Sequence, residues 1–169
     1  VNISKDSMKA SLLGPEFSDN QIEEYLEKNE IPYKKLNEKE VTKQAAEIIA
    51  NEKVLGWFQG RMEYGPRALG SRSILGDPRS EKMQSIINLK VKFRESFRPF
   101  APTILEEHAK DYFELNCESP YMLLVAHVKE SKRLPLNEDQ KKLFGIEKLK
   151  IKRSHIPAIT HVDYSARAQ

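Results

Sequence analysis

The sequence has little cysteine and no long apolar run. Cys117 is the single cysteine among 169 residues, so an intrachain disulfide is excluded and a cytoplasmic location is expected. No apolar stretch approaches the roughly 20 residues that cross a bilayer, and no signal-peptide pattern opens the chain, which predicts no membrane partner. His108, His127 and His155 have no mutual metal-ligand spacing, so no metal site is predicted in this chain, and only the role of His161 stays open.

A basic stretch with interspersed glycines, residues 56–102, stands out from this background. It carries nine lysines and arginines against four aspartates and glutamates, whereas the whole chain has 28 against 25. Arginine's planar fork binds phosphate and carboxylate oxygens in pairs, and glycine lets a backbone approach a ligand closely. This basic block therefore predicts a site for an anion such as a nucleotide or an acyl phosphate.

Three long strings of the sequence carry a family resemblance. They are, in order, GRMEYGPRALGSRSIL, NLKVKFRESFRPFAP, and SPYMLLV followed by IPAITHVDYSARAQ, and the upstream LGPEFSDNQIEEYL reads like a lead-in to them. Strings of this length are far more specific than a lone glycine pattern. The sequence resembles the C-terminal part of the O-carbamoyltransferases of nodulation-factor and antibiotic biosynthesis, and the resemblance covers nearly the whole chain.

The resemblance implies a two-domain parent enzyme. In that family a C-terminal YrdC-like domain makes carbamoyl-adenylate from carbamoyl phosphate and ATP. An N-terminal actin-like domain, which holds iron or another metal, transfers the carbamoyl group to an acceptor alcohol. Residues 1–169 are expected to form a single YrdC-like domain truncated at both ends, with residues 1–15 as a lead-in from the missing domain. The expected ligands are ATP, its Mg²⁺ and carbamoyl phosphate, and such a fragment is not expected to complete the transfer alone.

The resemblance also implies which basic residues meet the reactants. Arg67, in GPRALG, would contact the carbamoyl or phosphate group, with bridging of loop carbonyls as the structural alternative. Lys92 and Arg98, in VKFRESFRPF, match the family's other anion-binding stretch, where a lysine suits one phosphate oxygen and an arginine binds two. These three residues are the predicted catalytic and ATP-binding set, and they are expected to face one anion. Arg94 is a further candidate for the nucleotide, although Glu95 could pair with either neighbouring arginine.

Two further features accompany this set. Arg167 lies in VDYSAR, where the family usually has Val-Asp-Gly-Thr-Ala-Arg, and it is carried over as a nucleotide ligand. Tyr164 takes the place of the family glycine, and a tyrosine held at positive φ would be strained. Of the carboxylates in the basic block, Glu63 or Asp77 could hold Mg²⁺, but an orienting role beside a neighbouring arginine is favoured for Glu63.

Helix and strand signals alternate along the chain. The capping-box pairs Ser18 with Gln21 and Asn37 with Glu40 predict two helices, and Ser80 predicts the cap of a third. Apolar runs and spacing predict a strand at 54–58, a helix at 104–113, and strands at 121–128 and 156–162. The alternation predicts an α/β fold, with α+β as the alternative, and the resemblance implies a twisted mixed sheet flanked by helices.

Two other kinds of function compete with this interpretation. A basic surface is compatible with an RNA-binding YrdC-like module without turnover, and the fragment could also be a purely structural partner domain. Nucleic acid is not favoured, because the aromatic residues of the basic block are expected to be core residues rather than a stacking platform. These aromatic residues are Trp57, Phe58, Tyr64, Phe93, Phe97 and Phe100. A separate basic run, predicted to be a solvated edge, consists of Lys148, Lys150, Lys152 and Arg153.

Overall fold

A computed structural model describes residue 8 and residues 11–169. The chain divides into two compact units, one ending at Leu75 and the other running from Gly76 to Gln169. Helices combine with small antiparallel sheets, so the fold is of the mixed α/β kind expected. None of the helices in the described part of the chain is long and apolar enough to cross a membrane.

The first unit contains two helices, α1 at Asp19–Lys28 and α2 at Glu38–Ala50. Both begin where the sequence predicts, after the N-cap residues Ser18 and Asn37. Each cap side chain accepts a hydrogen bond from the third helical residue, whose own side chain bonds back to the N–H of the cap residue. These reciprocal bonds satisfy two donors that a helix start otherwise leaves open, so the prediction of both helices is confirmed.

A β-hairpin completes the first unit. Strand β1, Leu55–Phe58, pairs antiparallel with strand β2, Arg72–Leu75, and Phe58 lies opposite Arg72 where the two strands enter the loop of residues 59–71. The strand predicted at 54–58 is therefore confirmed, but its residues alternate between half-buried and exposed. A two-stranded sheet keeps one face in solvent, which explains why this apolar run is only partly buried.

The second unit opens on a helix that changes type along its length. Helix α3, Met83–Ile86, continues as a π-helical turn, Ile87–Val91. The prediction that Ser80 caps this helix is wrong. The N-cap position is Lys82, which makes no side-chain cap bond, and the buried Ser80 hydroxyl has no hydrogen-bond partner within the described residues.

Two further α-helices and several 3₁₀ turns follow in the second unit. Helix α4, Glu106–Tyr112, confirms the helix predicted at 104–113. Helix α5, Glu138–Lys142, begins with a capping box on Asn137 and carries exposed charged residues. Short 3₁₀ turns lie on either side of α5, at Glu130–Lys132 and Gly145–Lys150.

The strands of the second unit are shorter than the sequence predicts. Strand β3, Ala126–His127, pairs antiparallel with strand β4, Ser165–Ala166. The strand predicted at 121–128 is wrong over most of its length, and Met122 has a φ of 53°, outside the extended region. The strand predicted at 156–162 is also wrong. A 3₁₀ turn replaces it at Pro157–Ile159, where proline starts the turn and cannot donate to a sheet.

Every buried apolar residue of the described chain belongs to the second unit. These residues come from α3 and its π turn, from the end of α4, and from the segments around β3 and β4. They are Met83, Ile87, Phe113, Ala126, Val128, Ile156, Ala158, Ile159, Ala166 and Ala168. The second unit therefore has a small apolar core built mainly from segments distant in sequence.

Candidate functional site

A buried carboxylate organises the loop between β1 and β2. The Glu63 residue is only 3% exposed, and its Oε1 atom accepts hydrogen bonds of 2.7 Å from the N–H groups of both Leu69 and Ser71. Its Oε2 atom accepts from Nε of Arg72 at 3.3 Å. The orienting role favoured for Glu63 is therefore confirmed, and the arginine that it orients is Arg72.

The ionised form of the Glu63 carboxyl is favoured although the side chain is buried. Desolvation raises the pKa of this carboxyl, but the hydrogen bonds from the Ser71 and Leu69 N–H groups and from Arg72 outweigh it, and the net pKa lies below the ordinary value of 4.5. Hydrogen bonds to an ionised carboxylate stabilise the charged form. Glu63 is thus held as an anion in the wall of the loop.

The arginine that bridges loop carbonyls is Arg72 rather than Arg67. The Nη2 atom of Arg72 donates to the carbonyl oxygens of Gly65 and Arg67, the latter at 3.2 Å. The loop backbone reaches this position through Gly65 and Gly70, whose φ angles are 126° and 115°. Side-chain-bearing residues rarely adopt such angles, so the loop conformation depends on glycine at these two positions.

Arg67 lies half-buried in this fixed loop. Within residues 11–75, its guanidinium makes no hydrogen bond and no ion pair. Its main chain is tied down through the carbonyl that Arg72 binds. The structural alternative for Arg67, bridging of loop carbonyls, thus belongs to its neighbour. Arg67 presents an unneutralised fork on an ordered backbone, an arrangement that is compatible with binding an anion. Its role as an anion ligand stays a prediction.

In the second unit, a fully buried amide orders the other basic stretch. Asn88 has no exposed surface and lies in the π-helical turn. Its Nδ2 atom donates to the carbonyls of Ser96 at 3.1 Å and Arg98 at 2.8 Å, and its Oδ1 atom accepts from Nε of Arg94 at 2.7 Å. Gln84, one helical turn earlier, also donates to the carbonyl of Arg98 at 3.2 Å. Helix α3 and its π turn thus each bring one amide to the segment that carries the predicted ligands, and π turns often mark functional sites.

The three predicted ligands on this segment have different surroundings. Lys92 is exposed and makes no ion pair within the described residues of its unit. Nε of Arg98 pairs with Glu95 at 3.1 Å, with both side chains more than half exposed. Such surface pairs contribute only about 0–1 kcal/mol, so an incoming anion could displace Glu95. Arg94 is held by Asn88 and lies 5.1 Å from the centroid of the Phe100 ring.

The aromatic residues of the basic block are less buried than predicted. Tyr64 is 76% exposed and Phe93 is 85% exposed, and Phe58 and Phe97 are also exposed. Only Trp57 and Phe100 are partly buried. The expectation of a mainly core position is therefore wrong, because the two-stranded hairpin and the turn after the π helix each leave one side uncovered.

Asp77, the other carboxylate considered for Mg²⁺, is also paired with an arginine. It accepts hydrogen bonds from Nε and Nη2 of Arg79, the shortest at 2.7 Å. These bonds lower the pKa of Asp77 below its ordinary value, although burial works in the opposite direction. Among the described residues, no three His, Cys, Asp or Glu side chains cluster in a way that could hold a metal ion.

Tyr164 has the strained conformation that its replacement of a family glycine predicts. Its φ angle is 64°, and its ring packs between two guanidinium groups, with Arg133 at 4.8 Å and Arg153 at 5.2 Å from the centroid. Arg153 is only 3% exposed and donates to the backbone carbonyls of Thr160 and His161. The prediction of a solvated edge is therefore wrong for Arg153.

Arg167 lies three residues after Tyr164, immediately beyond strand β4. Its side chain is exposed, whereas both neighbours, Ala166 and Ala168, are buried. This alternation is that of an extended segment with one face in the core. Arg167 is therefore presented to solvent on an ordered backbone, and its role as a nucleotide ligand stays a prediction.

Comparison with known proteins decides the family. The model described as Carbamoyltransferase C-terminus matches residues 46–169. The chain belongs to this family. The predicted family membership is thereby confirmed, and the match includes Arg67, Lys92, Arg98 and Arg167 together with the loop-ordering residues around them.

Several longer proteins resemble this carbamoyltransferase C-terminal chain. An uncharacterised protein of Synechocystis is 57% identical over 166 residues, which are 97% of this chain and 27% of that protein. Nodulation protein NolNO of Sinorhizobium fredii is 47% identical over 133 residues, 77% of this chain and 17% of that protein. Nodulation protein U of the same species is 39% identical over 126 residues, 75% of this chain and 18% of that protein. The chain thus spans less than a third of the length of these curated relatives.

Sequence reasoning missed two residues that order the candidate ligands. In the sequence, Arg72 is one of nine cations of the basic block. Its position at the start of β2, directly opposite Phe58, places it at the mouth of the loop. Asn88 follows Gln84 by four residues, a spacing that puts both amides on one helical face. That polar pair, set in a run of apolar residues, was the available signal.

Proposed function

We propose that this chain carries out the adenylation half of a carbamoyltransferase reaction, in which carbamoyl phosphate and ATP yield carbamoyl-adenylate. The observation that carries the proposal is the combination of the family match with an unpaired Arg67 on a loop fixed by Glu63 and Arg72. The ionic side chains of Glu63 and Arg72 hold the loop, and the guanidinium of Arg67 is left for a ligand. That division of roles is expected where a fixed cation must meet an anionic substrate.

The proposed chemistry needs charge stabilisation more than a nucleophile from the protein. Carbamoyl phosphate is first hydrolysed to carbamate and inorganic phosphate. A carbamate oxygen then attacks the α-phosphorus of ATP, the new O–P bond forms as the bond to the β-phosphate bridging oxygen breaks, and pyrophosphate leaves. Negative charge is spread over the phosphoryl oxygens in the transition state, so fixed cations supply much of the protein's contribution.

Each predicted ligand has a role in this proposal. Arg67 binds phosphoryl or carbamoyl oxygens through its fork, Lys92 gives one phosphate oxygen a compact charge, and Arg98 exchanges Glu95 for the substrate. Arg94 and Arg167 contact the nucleotide. Residues that touch no substrate keep these groups in place, with Glu63 and Arg72 acting on the loop, and Gln84 and Asn88 acting on the segment after the π turn.

ATP is proposed to bring Mg²⁺ with it. The two carboxylates considered for this ion, Glu63 and Asp77, are both occupied by arginines. Mg²⁺ keeps several waters and commonly binds through substrate phosphates. We therefore assign its ligands mainly to phosphate oxygens and water, with no direct bond from Glu63.

The proposal extends to the parent protein. The adenylating part is expected to have the twisted YrdC-like sheet, and it acts in the cytoplasm. Transfer of the carbamoyl group to an alcohol belongs to a second, metal-binding part of the longer relatives. This chain alone is then expected to form the adenylate without carbamoylating an alcohol.

The test is the exchange of labelled pyrophosphate into ATP in the presence of carbamoyl phosphate. Exchange that requires carbamoyl phosphate is the expected result, measured with this chain and, for comparison, with the full-length Synechocystis relative. Calorimetry with a non-hydrolysable ATP analogue checks binding separately. If the relative exchanges pyrophosphate while this chain neither exchanges it nor binds the analogue, the proposal is rejected for this chain.

The exposed aromatic rings support one second candidate, binding of single-stranded RNA. Phe93 stands beside Lys92 in the second unit, and Tyr64 stands near Arg67 in the sequence of the first. Exposed rings with neighbouring cations can stack bases while binding the backbone. Fluorescence titration with a short RNA separates the two candidates. Salt-sensitive RNA binding that Phe93→Ala weakens favours the RNA function. Binding of ATP without binding of RNA favours adenylation.

A further inference from the structure

A second group of cations surrounds a cavity in the second unit, lined by residues outside the basic block. The cavity has a volume of about 560 Å³ and is lined by His108, Asp111, Tyr112, Lys129, Ser131 and Lys132. The first three residues come from α4, and the other three come from the 3₁₀ turn and the residue before it. Its size falls in the range of roughly 300–1,000 Å³ that is typical of small-molecule sites.

The walls of the cavity are tied together by the backbone. The N–H of Lys129 donates to the carbonyl of Tyr112 at 2.8 Å, and the N–H of Glu114 donates to the carbonyl of His127 at 2.8 Å. Between these bonds, Phe113 and Val128 form an antiparallel bridge and are almost fully buried. The two lining segments are therefore anchored on the core of the second unit, while His108, Asp111 and Ser131 are exposed at the open side of the cavity.

The charges in the cavity are not balanced. Its lining contains one carboxylate, Asp111, and that group already bonds to Nδ1 of His108 at 3.1 Å. Within the described part of the chain, neither Lys129 nor Lys132 has a carboxylate partner. The Nζ atom of Lys132 lies 4.5 Å above the centroid of the Tyr112 ring, so the contact holds this ammonium group in place without neutralising it.

We propose that this cavity binds a small phosphate monoester. Two ammonium groups supply charge to the phosphate, the Ser131 hydroxyl can donate to a third oxygen, and the remaining volume holds the organic part of the ester. Lysine binds phosphate as a compact point charge, and two ammonium groups match the nearly two negative charges of a monoester at neutral pH. The site is separate from the residues assigned to adenylation and does not rest on that function.

The experiment is an NMR titration of the 169-residue chain with inorganic phosphate, glycerol 3-phosphate and, as an uncharged control, glycerol. The expected result is that amide signals around residues 108–112 and 129–132 shift with glycerol 3-phosphate at lower concentration than with phosphate, and do not shift with glycerol. An ester that binds no more tightly than inorganic phosphate would overturn the monoester assignment. Shifts confined to other parts of the chain would overturn the site.

Charge-matched variants separate this site from general attraction to a basic surface. Lys129→Met with Lys132→Met keeps the side-chain stems and is expected to weaken binding by about tenfold or more, as loss of two charge-assisted contacts predicts. Lys141→Met with Lys142→Met removes the same charge from exposed pairs on α5 and is expected to leave the affinity nearly unchanged. Equal weakening in both double variants would overturn the proposal.

Three further variants keep the test decisive if the Lys129→Met, Lys132→Met double variant folds poorly. Lys132→Arg retains a cation above Tyr112 and is expected to preserve binding, whereas Lys129→Met alone is expected to reduce it. Lys92→Ala with Arg98→Ala is expected to leave glycerol 3-phosphate binding intact. Loss of binding in that last variant would assign the ester to the basic block and reject the second site, while leaving the adenylation proposal standing.

Discussion

Two buried polar side chains, Glu63 and Asn88, control where the candidate anion ligands lie. Each forms hydrogen bonds with backbone groups of a neighbouring loop and with one arginine. A buried polar group that loses its partner costs about 1–3 kcal/mol, so such groups fix one loop conformation strongly. The consequence for function is that Arg67 and Arg98 project from ordered backbone.

Replacement of Glu63 by glutamine tests this control. Oε1 can still accept from the loop N–H groups, but the new NH₂ group would face the Nε–H of Arg72, donor against donor. We expect the free energy of unfolding to fall by about 1–3 kcal/mol, measured by urea denaturation. The control is Glu16→Gln, which breaks an exposed pair with Arg61 and should change stability by less than about 1 kcal/mol.

The unfolding free energy of Glu63→Gln is also expected to depend on pH less strongly than that of the wild type. Because the folded-state pKa of Glu63 is lowered, its ionised form stabilises the fold above the ordinary carboxyl pKa, and that contribution is lost as pH falls through the folded-state pKa. Wild-type stability should therefore decline more steeply than that of Glu63→Gln in this acidic window. Parallel curves for the two proteins would contradict the assigned hydrogen bonds.

Tyr164 combines a strained backbone with favourable ring contacts. Glycine at this position would relieve a cost of about 1 kcal/mol for the left-handed conformation but would lose the ring between Arg133 and Arg153. Each cation–ring contact contributes about 0.5–2 kcal/mol. We expect Tyr164→Gly to lower the unfolding free energy by about 1 kcal/mol, and Tyr164→Phe, which keeps the ring but loses the hydroxyl that interacts with Arg153, to lower it by less. A more stable glycine variant would show that strain dominates.

At this scale, residue types were easier to predict than partners. The orienting role of Glu63 and the unusual backbone at Tyr164 could be predicted, because each depends on chemistry close in sequence. The roles of Arg72, Asn88 and Arg153 could not, since each depends on carbonyl groups that a folded loop brings within reach. A count of charges along the chain does not distinguish such an arginine from one available to a ligand.

At the scale of elements, Gly76 sets the distance between the start of the second unit and α3. A Cβ at this position would lie 2.6 Å from Sδ of Met83 and 3.0 Å from Cδ1 of Ile87. Met83 and Ile87 are both buried, so there is little room for their side chains to move. We expect Gly76→Ala to lower the unfolding free energy by about 1–3 kcal/mol, the usual cost of overpacking.

Gly56 in β1 provides a matched control. A Cβ there meets no described atom within 4 Å, and its φ is not in the left-handed region. Gly56→Ala is therefore expected to leave stability unchanged or raise it by up to about 1 kcal/mol, because alanine restricts the unfolded chain. Equal destabilisation by the two substitutions, measured by thermal unfolding, would contradict the packing account.

The starts of α1 and α2 could be predicted at this scale, whereas the strands of the second unit could not. The capping boxes on Ser18 and Asn37 are local patterns, and their bonds form within one helical turn. Strand β3 instead depends on β4, nearly 40 residues later, and the apolar run around it contains a residue at positive φ. Apolar character alone could not show where that pairing ends.

At the scale of the whole molecule, buried apolar residues are distributed unevenly. Helices α1 and α2 contain no buried residues, whereas Phe113 and Val128 in the second unit are 1% and 0% exposed. Helices without a buried face are held mainly by local bonds, which are marginal in water. We therefore expect amides in α1 and α2 to exchange hydrogen at least about tenfold faster than those of Phe113 and Val128. Equal protection would contradict this distribution of stability.

The family could be predicted from the sequence because its strings are long and specific, and the matched region confirms it. The reaction itself is the central claim and depends on Arg67. Lys43→Ala serves as a control, because Lys43 is an exposed cation of the same unit on α2. Melting temperatures of all variants show whether any loss of activity reflects unfolding.

The most direct measurement is carbamoyl-phosphate-dependent exchange of pyrophosphate into ATP by the wild type, Arg67→Ala, Arg67→Lys and Lys43→Ala. Loss of a charge-assisted contact to a ligand costs about 2–5 kcal/mol, or roughly tens to thousands of fold. The account predicts that Arg67→Ala abolishes exchange with an almost unchanged melting temperature, that Arg67→Lys fails to restore it because the fork is lost, and that Lys43→Ala keeps it. Full exchange by Arg67→Ala would contradict the account, and full exchange by Arg67→Lys would contradict recognition through two nitrogens.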